Sequence, residues 1–240
     1  MFAYDAKIAA VAAAATHSID DVLEVMTGIG SLCADDDGLK WFNWLYSTVT
    51  QAVRERVRAA GGFVDAVWIA ALDVEFAGYY FRAIEAALAG GGAPGCWQAL
   101  FDARNQPAET RLQCALAGMN AHINHDLPQA IVALCATAGP APAHGTTQYI
   151  DYTALNSTLD AIIDTARHEL NVRLCGDALL DVTRLENLAA AWGIGAAREV
   201  AWKNAEVLWH IQGAPPIAAA FLDSVDAATA VTSRTLLVPV

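Results

Sequence analysis

Basic residues are scarce in this sequence: 14 lysines and arginines stand against 26 aspartates and glutamates, which gives a net charge of −12. No segment gathers the basic residues into a stripe, and binding to nucleic acid or to an anionic membrane surface requires clustered positive charge. We therefore expect neither nucleic acid nor membrane as a partner. Long apolar runs are missing as well, since none reaches the roughly 18 residues that a membrane-spanning helix needs.

Several sequence motifs are absent. The five cysteines are scattered, odd in number and never spaced C-x-x-C, which excludes a zinc ribbon and a disulfide framework and favours free thiols in a reducing cytoplasm. There is no P-loop, G-x-S-x-G or H-E-x-x-H motif, so we expect no nucleotide cofactor. Residues 1–15 lack the basic and compact apolar regions of a signal peptide, and we expect them to belong to the fold.

Apolar residues, by contrast, make up 55% of the 240 residues, enough for a sizeable core. They recur at helical spacing, and strand-like alternation never persists. The sequence predicts one all-α domain, a bundle of about eight to nine helices over 1–240, with an N-terminal helical arm (1–17), a loop (139–147) and an apolar tail (231–240). The first of the main predicted helices begins at 18. The other predicted helices cover 39–60, 65–89, 97–104, 106–126, 151–174, 177–192, 196–212 and 215–230.

One polar stretch, Gly118–Pro128, lies inside an apolar helical segment. His122 and Asp126 are four residues apart and share a helix face, as do Asn120 and Asn124. An H-x-x-x-D pair either chelates a metal ion or holds a histidine oriented as a general base. We expect Pro128 to kink or end the helix just after Asp126. His125 is assigned a secondary role.

Asp73 is the second candidate, because apolar residues flank it on the longest predicted helix and a buried carboxylate needs a partner. We predict that it faces His122 and Asp126, and that these three residues are catalytic or, as an alternative, bind a divalent metal ion. Tyr80 shares the helix face of Asp73, and the aromatic segment at 41–46 could wall an apolar pocket. The predicted substrate-binding residues are Asn43, Tyr46, Tyr80, Asn120 and Asn124.

Several segments together resemble an uncharacterised, all-helical bacterial family of unknown function that is common in actinobacteria. They span roughly residues 20–210, and the most specific is Asn120-Ala-His-Ile-Asn-x-Asp-Leu-Pro128. The others are Asp37-Gly-Leu-Lys-Trp-Phe-Asn43 with Tyr46, Leu72-Asp-Val-Glu-Phe-Ala77 with Tyr80, Trp97 with Leu100-Phe-Asp-Ala-Arg104, and Asp151-Tyr152 with Asn156. The resemblance implies a helical fold and no particular activity.

Two functions compete. The first is an enzyme of specialised metabolism that acts on a small, fairly apolar organic molecule in a pocket within the bundle, either as a metal-assisted hydrolase or as a metal-free isomerase or cyclase. The second is a binding or scaffold protein in which the same polar residues form a buried network that fixes helix register. The apolar tail and the aromatic residues also favour a homodimer.

Overall fold

The computed structural model describes residues 2–177 and 193–239, with Thr183 and Asn187 between them. These residues form α-helices and one π-helical segment, and no strand occurs among them. If α6 to α7 and α8 to α9 are each counted as one continuous segment, the described residues contain nine helical segments, which confirms the all-α prediction. The helices are α1 (Asp5–Ala12), α2 (Ile19–Leu32), α3 (Gly38–Arg58), α4 (Ala66–Leu88), α5 (Gly95–Ala103), α6 (Arg111–Ala121), the π segment (His122–Asp126), α7 (Leu127–Ala138), α8 (Thr147–Ala154), α9 (Asn156–Glu169), α10 (Ile194–Ile211) and α11 (Pro215–Leu236).

Two predicted helix boundaries were wrong: the start of α6 and the end of α11. Helix α6 begins four residues after Pro107, where Thr110 and Gln113 form a reciprocal capping box. The predicted tail is largely helical, since α11 continues to Leu236. The Gln113 amide donates to the carbonyl oxygens of Leu236 (2.9 Å) and Val238 (2.7 Å), so the same cap also holds the C-terminal segment against α6.

Helix α6 is the most completely buried element, and every residue from Leu112 to Ala121 lies in the core. It packs against α3 and α11, while α7 packs against α4 and α10. Gly118 permits the close approach of α3, because a Cβ atom at this position would lie 2.4 Å from the Phe42 ring. The polar stretch of the sequence therefore runs through the centre of the bundle.

The helix predicted over 177–192 falls outside the described residues, apart from Asp177, Thr183 and Asn187. The predicted helix over 151–174 is divided at Leu155 into α8 and α9 and ends at Glu169. Within the part of the chain that the structure describes, no helix combines the length and apolar character needed to cross a membrane.

Candidate functional site

A π-helical turn occupies the centre of the polar stretch. The backbone N–H of Leu127 donates to the carbonyl of His122, five residues earlier, so the helix widens between α6 and α7. The helix does not end after Asp126, which was one of the two effects predicted for Pro128, and the predicted kink stays a prediction. Proline lies in the first turn of α7, where its missing N–H is tolerated, and the widened turn carries the chain through. Single π turns inside α-helices are frequent at functional sites.

The carboxylate of Asp126 joins three buried side chains. His122 Nδ1 lies 2.9 Å from Oδ2, and the Trp97 indole N–H donates to the same oxygen at 2.9 Å. His125 Nδ1 lies 2.7 Å from Oδ1. Burial acts to raise the pKa of Asp126, but the hydrogen bonds from the two histidines outweigh it and hold the pKa below its usual value. Asp126 is therefore an anion that accepts from all three donors.

The pKa values of the two histidines shift in opposite directions. Burial lowers the pKa of His122 more than Asp126 raises it, so this imidazole is neutral. Its Nδ1–H donates to Asp126, which leaves Nε2 as a buried acceptor without a hydrogen-bond partner. Burial also lowers the pKa of His125, but the hydrogen bond with Asp126 outweighs that effect, and its pKa lies above the usual value. The prediction that His122 and Asp126 act as a pair matches this contact.

Aromatic rings enclose His122. Phe76 stacks on the imidazole with 3.5 Å between ring centroids and 4° between ring planes. The Tyr46 ring meets it edge to face at 4.5 Å, and Trp97 lies 5.9 Å away. Such an apolar enclosure excludes water and strengthens the electrostatic interactions inside it.

Asp73 lies beyond two of these rings. It lines a cavity of about 50 Å³ together with Tyr46, Phe76 and Arg198, and Tyr46 and Phe76 are the same rings that contact His122. Among the described residues, the buried Oδ2 of Asp73 has no hydrogen-bond partner, and the buried Tyr46 hydroxyl contacts no polar side chain other than Thr50. Burial raises the pKa of Asp73 to about 7. The rest of the cavity wall is mostly apolar: Val49, Val53, Ile69, Leu72, Leu127, Tyr152, Leu155 and Leu159.

The structure thus does not join Asp73 to His122 and Asp126 as we predicted. No hydrogen bond among the described residues connects them, and these three residues do not form a metal-ligand cluster there. Asp73 lies one turn before Phe76 on α4, and both residues line the cavity. His122 and Asp126 are thus in contact and Asp73 is a separate buried carboxylate, while the catalytic or metal-binding role of the three residues stays a prediction.

Arg198 is a residue of this cavity that the sequence reasoning missed. Its Nε donates to Asn156 Oδ1 at 2.8 Å, and its Nη2 donates to the Tyr152 carbonyl at 2.7 Å. Among the described residues, no carboxylate forms an ion pair with it, and burial lowers its pKa. A signal was available, since Arg198 lies four residues from both Ile194 and Trp202 and shares their buried face.

The other predicted substrate-binding residues lie elsewhere. The Tyr80 hydroxyl donates to Asn43 Oδ1 (3.2 Å), and the Asn43 amide donates to the Met26 carbonyl (2.9 Å), a link between α2, α3 and α4. The Asn120 amide donates to Ser233 (2.9 Å) and accepts from Asn124 (3.0 Å). Asn120 and Asn124 also line a separate groove of about 510 Å³ between α10 and α11. Only Tyr46 of the five reaches the cavity of Asp73.

Fold and site together define an all-α bundle whose centre holds an imidazole–carboxylate network beside a small polar cavity. The chain matches the family described as "Family of unknown function (DUF5995)" over residues 19–239, and it belongs to that family. No curated protein and no solved structure matched the chain.

Proposed function

We propose that this protein is a small-molecule enzyme that performs acid–base chemistry, such as an isomerisation, on a small and fairly apolar organic acid held inside the bundle. The observation that carries the proposal is a cavity in which Asp73 Oδ2, a buried carboxylate oxygen without a hydrogen-bond partner among the described residues, lies in the same wall as the buried guanidinium of Arg198. Such an unpaired atom costs about 1–3 kcal/mol of stability. Groups left in this state inside a native protein are candidates for a functional role.

Asp73 and Tyr46 in the cavity supply complementary chemistry, and His122, which contacts the Tyr46 and Phe76 rings, is a further polar group outside the cavity wall. With a pKa of about 7, Asp73 takes up and releases a proton near neutral pH, as an efficient general acid or base does. Tyr46 keeps its hydroxyl proton, because burial raises its pKa well above the usual value, and it serves as a hydrogen-bond donor. His122, oriented by Asp126, offers a neutral acceptor nitrogen.

Arg198 and the cavity volume indicate the kind of substrate. A buried guanidinium without a carboxylate partner is stabilised by an anion, and a carboxylate matches its planar donor geometry. A buried water needs roughly 10–15 Å³, so 50 Å³ accommodates a group of only a few non-hydrogen atoms. The apolar wall suits a short hydrocarbon chain. These features favour a short-chain carboxylic acid.

A scaffold protein is the second candidate, and the three hydrogen bonds to Asp126 favour it. They join α5, the π segment and the core into a network that needs no ligand. In that case, Asp73 and Arg198 would bind nothing.

Proton transfer to a short unsaturated acid tests the proposal. Vinylacetate becomes crotonate when one proton leaves the carbon next to the carboxylate and another is added at the chain end, and NMR distinguishes the two. We expect the protein to bind vinylacetate, to raise its melting temperature with it, and to exchange or move that proton in D₂O. Arg198→Met should lose the binding, and Asp73→Asn should keep the binding but lose the proton transfer.

Arg54→Met is the matched control, because Arg54 pairs with Asp20 at the surface and lies away from the cavity of Asp73. It should behave as the wild type. If short-chain carboxylates leave the melting temperature of the wild type unchanged, or if Arg198→Met responds to them as the wild type does, the scaffold function is favoured.

A further inference from the structure

A second group of chemically reactive side chains lies on the other side of Asp126. Cys96 comes from the first turn of α5, His125 from the π segment, and Asp226 from the middle of α11. One ligand atom of each, a sulfur, a ring nitrogen and a carboxylate oxygen, lies within 4.8 Å of the other two. A metal site built from protein side chains generally needs at least three ligands of the types histidine, cysteine, aspartate or glutamate at suitable spacing. This group meets that requirement, and it is the one found among the described residues.

The donor atoms indicate the metal. Thiolate, imidazole and carboxylate are the three ligand types of zinc, and the thiolate disfavours magnesium and calcium, which take oxygen ligands. In a tetrahedral zinc site, ligand atoms are roughly 3.3–3.8 Å apart, given metal–ligand distances of about 2.0–2.3 Å. The observed spacing therefore has to contract by about 1 Å when a metal binds, which side-chain rotation can provide.

Surrounding contacts already orient two of the ligands. His125 Nδ1 lies 2.7 Å from Asp126 Oδ1, and its Nε2 has only a long contact of 3.5 Å with Gln129 Nε2 among the described residues, which a metal ion could replace. A histidine that ligates a metal through one nitrogen and contacts a carboxylate through the other is a recurring arrangement at zinc sites. The backbone N–H groups of Gly95 and Cys96 donate to the two oxygens of Asp226 at 2.8 and 2.9 Å, and the Cys96 thiol hydrogen-bonds to the same carboxylate, so a metal ion would replace the thiol proton there.

Gly95 makes this approach of Asp226 possible. A Cβ atom at position 95 would lie only 3.0 Å from Asp226 Oδ2. Capping of α5 explains the contacts of Asp226 with Gly95 and Cys96, but it does not require a histidine with a carboxylate partner at the same point. Cys96 is fully buried, whereas Asp226 is half-buried, so the group is open to solvent on the Asp226 side.

From this geometry we propose that Cys96, His125 and Asp226 bind one zinc ion, with Asp126 as the residue that orients His125. The fourth coordination position faces the half-buried side of Asp226 and is open to water or a ligand. This inference does not rest on the proposed function, since the acid–base cavity lies around Asp73 and Arg198 and shares none of the three ligands.

Metal titration of the metal-stripped, full-length chain tests the site. Calorimetry should give one zinc ion per chain, and Cys96→Ser, His125→Gln and Asp226→Asn should each weaken binding by at least tenfold. Cobalt(II) in place of zinc should give a near-ultraviolet thiolate-to-cobalt absorption band that Cys96→Ser abolishes. Cys135→Ser, which alters another buried thiol, is the matched control and should keep both the stoichiometry and the band.

The proposal is overturned if the wild type takes up no stoichiometric zinc, if Cys96→Ser keeps the cobalt band, or if Cys135→Ser loses binding as strongly as Cys96→Ser does. The cobalt spectrum of the wild type decides the matter even if a variant fails to fold, because absence of a thiolate band excludes Cys96 as a ligand. Metal uptake and the conversion of vinylacetate are separate measurements, so either proposal can fail alone.

Discussion

Two buried arginines in this protein have opposite surroundings. Arg104 donates through Nε to Asp37 Oδ1 at 2.8 Å, contacts the second oxygen of Asp37 through Nη2, and pairs with Asp5 at 3.1 Å. Arg198 is as deeply buried but has only neutral oxygen acceptors, and the Asp73 carboxylate that lines the same cavity is unpaired. We call the first the closed cluster (Asp5, Asp37, Arg104) and the second the open cluster (Asp73, Arg198, Tyr46).

This difference indicates a structural role for the closed cluster and a functional role for the open cluster. In the closed cluster, the hydrogen bonds and charge of Asp37 outweigh the effect of burial on Arg104 and raise its pKa. The cluster ties α1 and the end of α5 to the start of α3, where Asp37 also caps the helix. In the open cluster, burial alone shifts the pKa of Asp73. A protein that keeps unpaired groups in its core gives up stability, which is common at sites that bind or react.

The largest difference in stability between the two clusters should appear when the arginine of each is replaced. Arg104→Met leaves the buried carboxylate of Asp37 without its partner, and we expect a loss of about 3–5 kcal/mol in the free energy of unfolding. Arg198→Met strands no charge and removes two hydrogen bonds, so we expect a loss of only about 1–2 kcal/mol. Urea denaturation measures both, and equal losses would contradict the distinction between the clusters.

The pH dependence of the free energy of unfolding should show that the carboxyl group of Asp73 is buried without an ion-pair partner. Below pH about 4 this carboxyl is protonated in both folded and unfolded chains. As the pH rises to about 7, the unfolded chain releases the proton while the folded chain keeps it, because the folded pKa is about 7 against an ordinary 3.8. The free energy of unfolding therefore falls by up to roughly 4 kcal/mol over this range, and the fall is complete only above the folded pKa.

Asp73→Asn removes that titration and should be more stable than the wild type by an amount that grows between pH about 4 and 7. Urea denaturation of both chains at several pH values measures this difference. A difference that does not change with pH would mean that Asp73 is ionised in the folded protein and has a partner.

The smallest difference in stability between the two clusters should appear when one tyrosine hydroxyl is removed from each. The Tyr4 hydroxyl donates to Asp37 in the closed cluster (3.0 Å), so Tyr4→Phe should cost about 1–2 kcal/mol. The Tyr46 hydroxyl makes no more than a weak contact with Thr50 among the described residues, so Tyr46→Phe should change the free energy of unfolding by less than about 0.5 kcal/mol or increase it. A loss from Tyr46→Phe as large as that from Tyr4→Phe would show that the open cluster is also a closed network.

Local rules account for much of what could be predicted. The apolar period predicted α3 and α4 to within two residues at each end, and Ser18 caps α2 through the N–H of Asp21. The contact between His122 and Asp126 follows from their spacing of four residues, which a helix turns into proximity. These features depend only on residues within about two turns of one another.

Other features involve residues far apart in the chain. The π turn at 122–126 widens the helix where the sequence predicted a kink or an end at Pro128, and no local pattern predicted this widening. Asp73 was correctly predicted to be buried, but its position relative to His122 depends on how α4 packs against α7. The helical spacing of Arg198 indicates its buried face, yet nothing in α10 indicates that it lines a cavity together with Asp73.

The sequence alone determined an all-helical fold, an acidic chain with a net charge of −12, and one polar stretch in an apolar helix. Periodicity, composition and short spacings carry that information. The tertiary structure decided which polar groups find partners: it paired Arg104, left Arg198 and Asp73 unpaired, and brought Cys96, His125 and Asp226 together from three helical segments. Such contacts depend on helix packing, and residues more than 100 positions apart meet for reasons that no local pattern records.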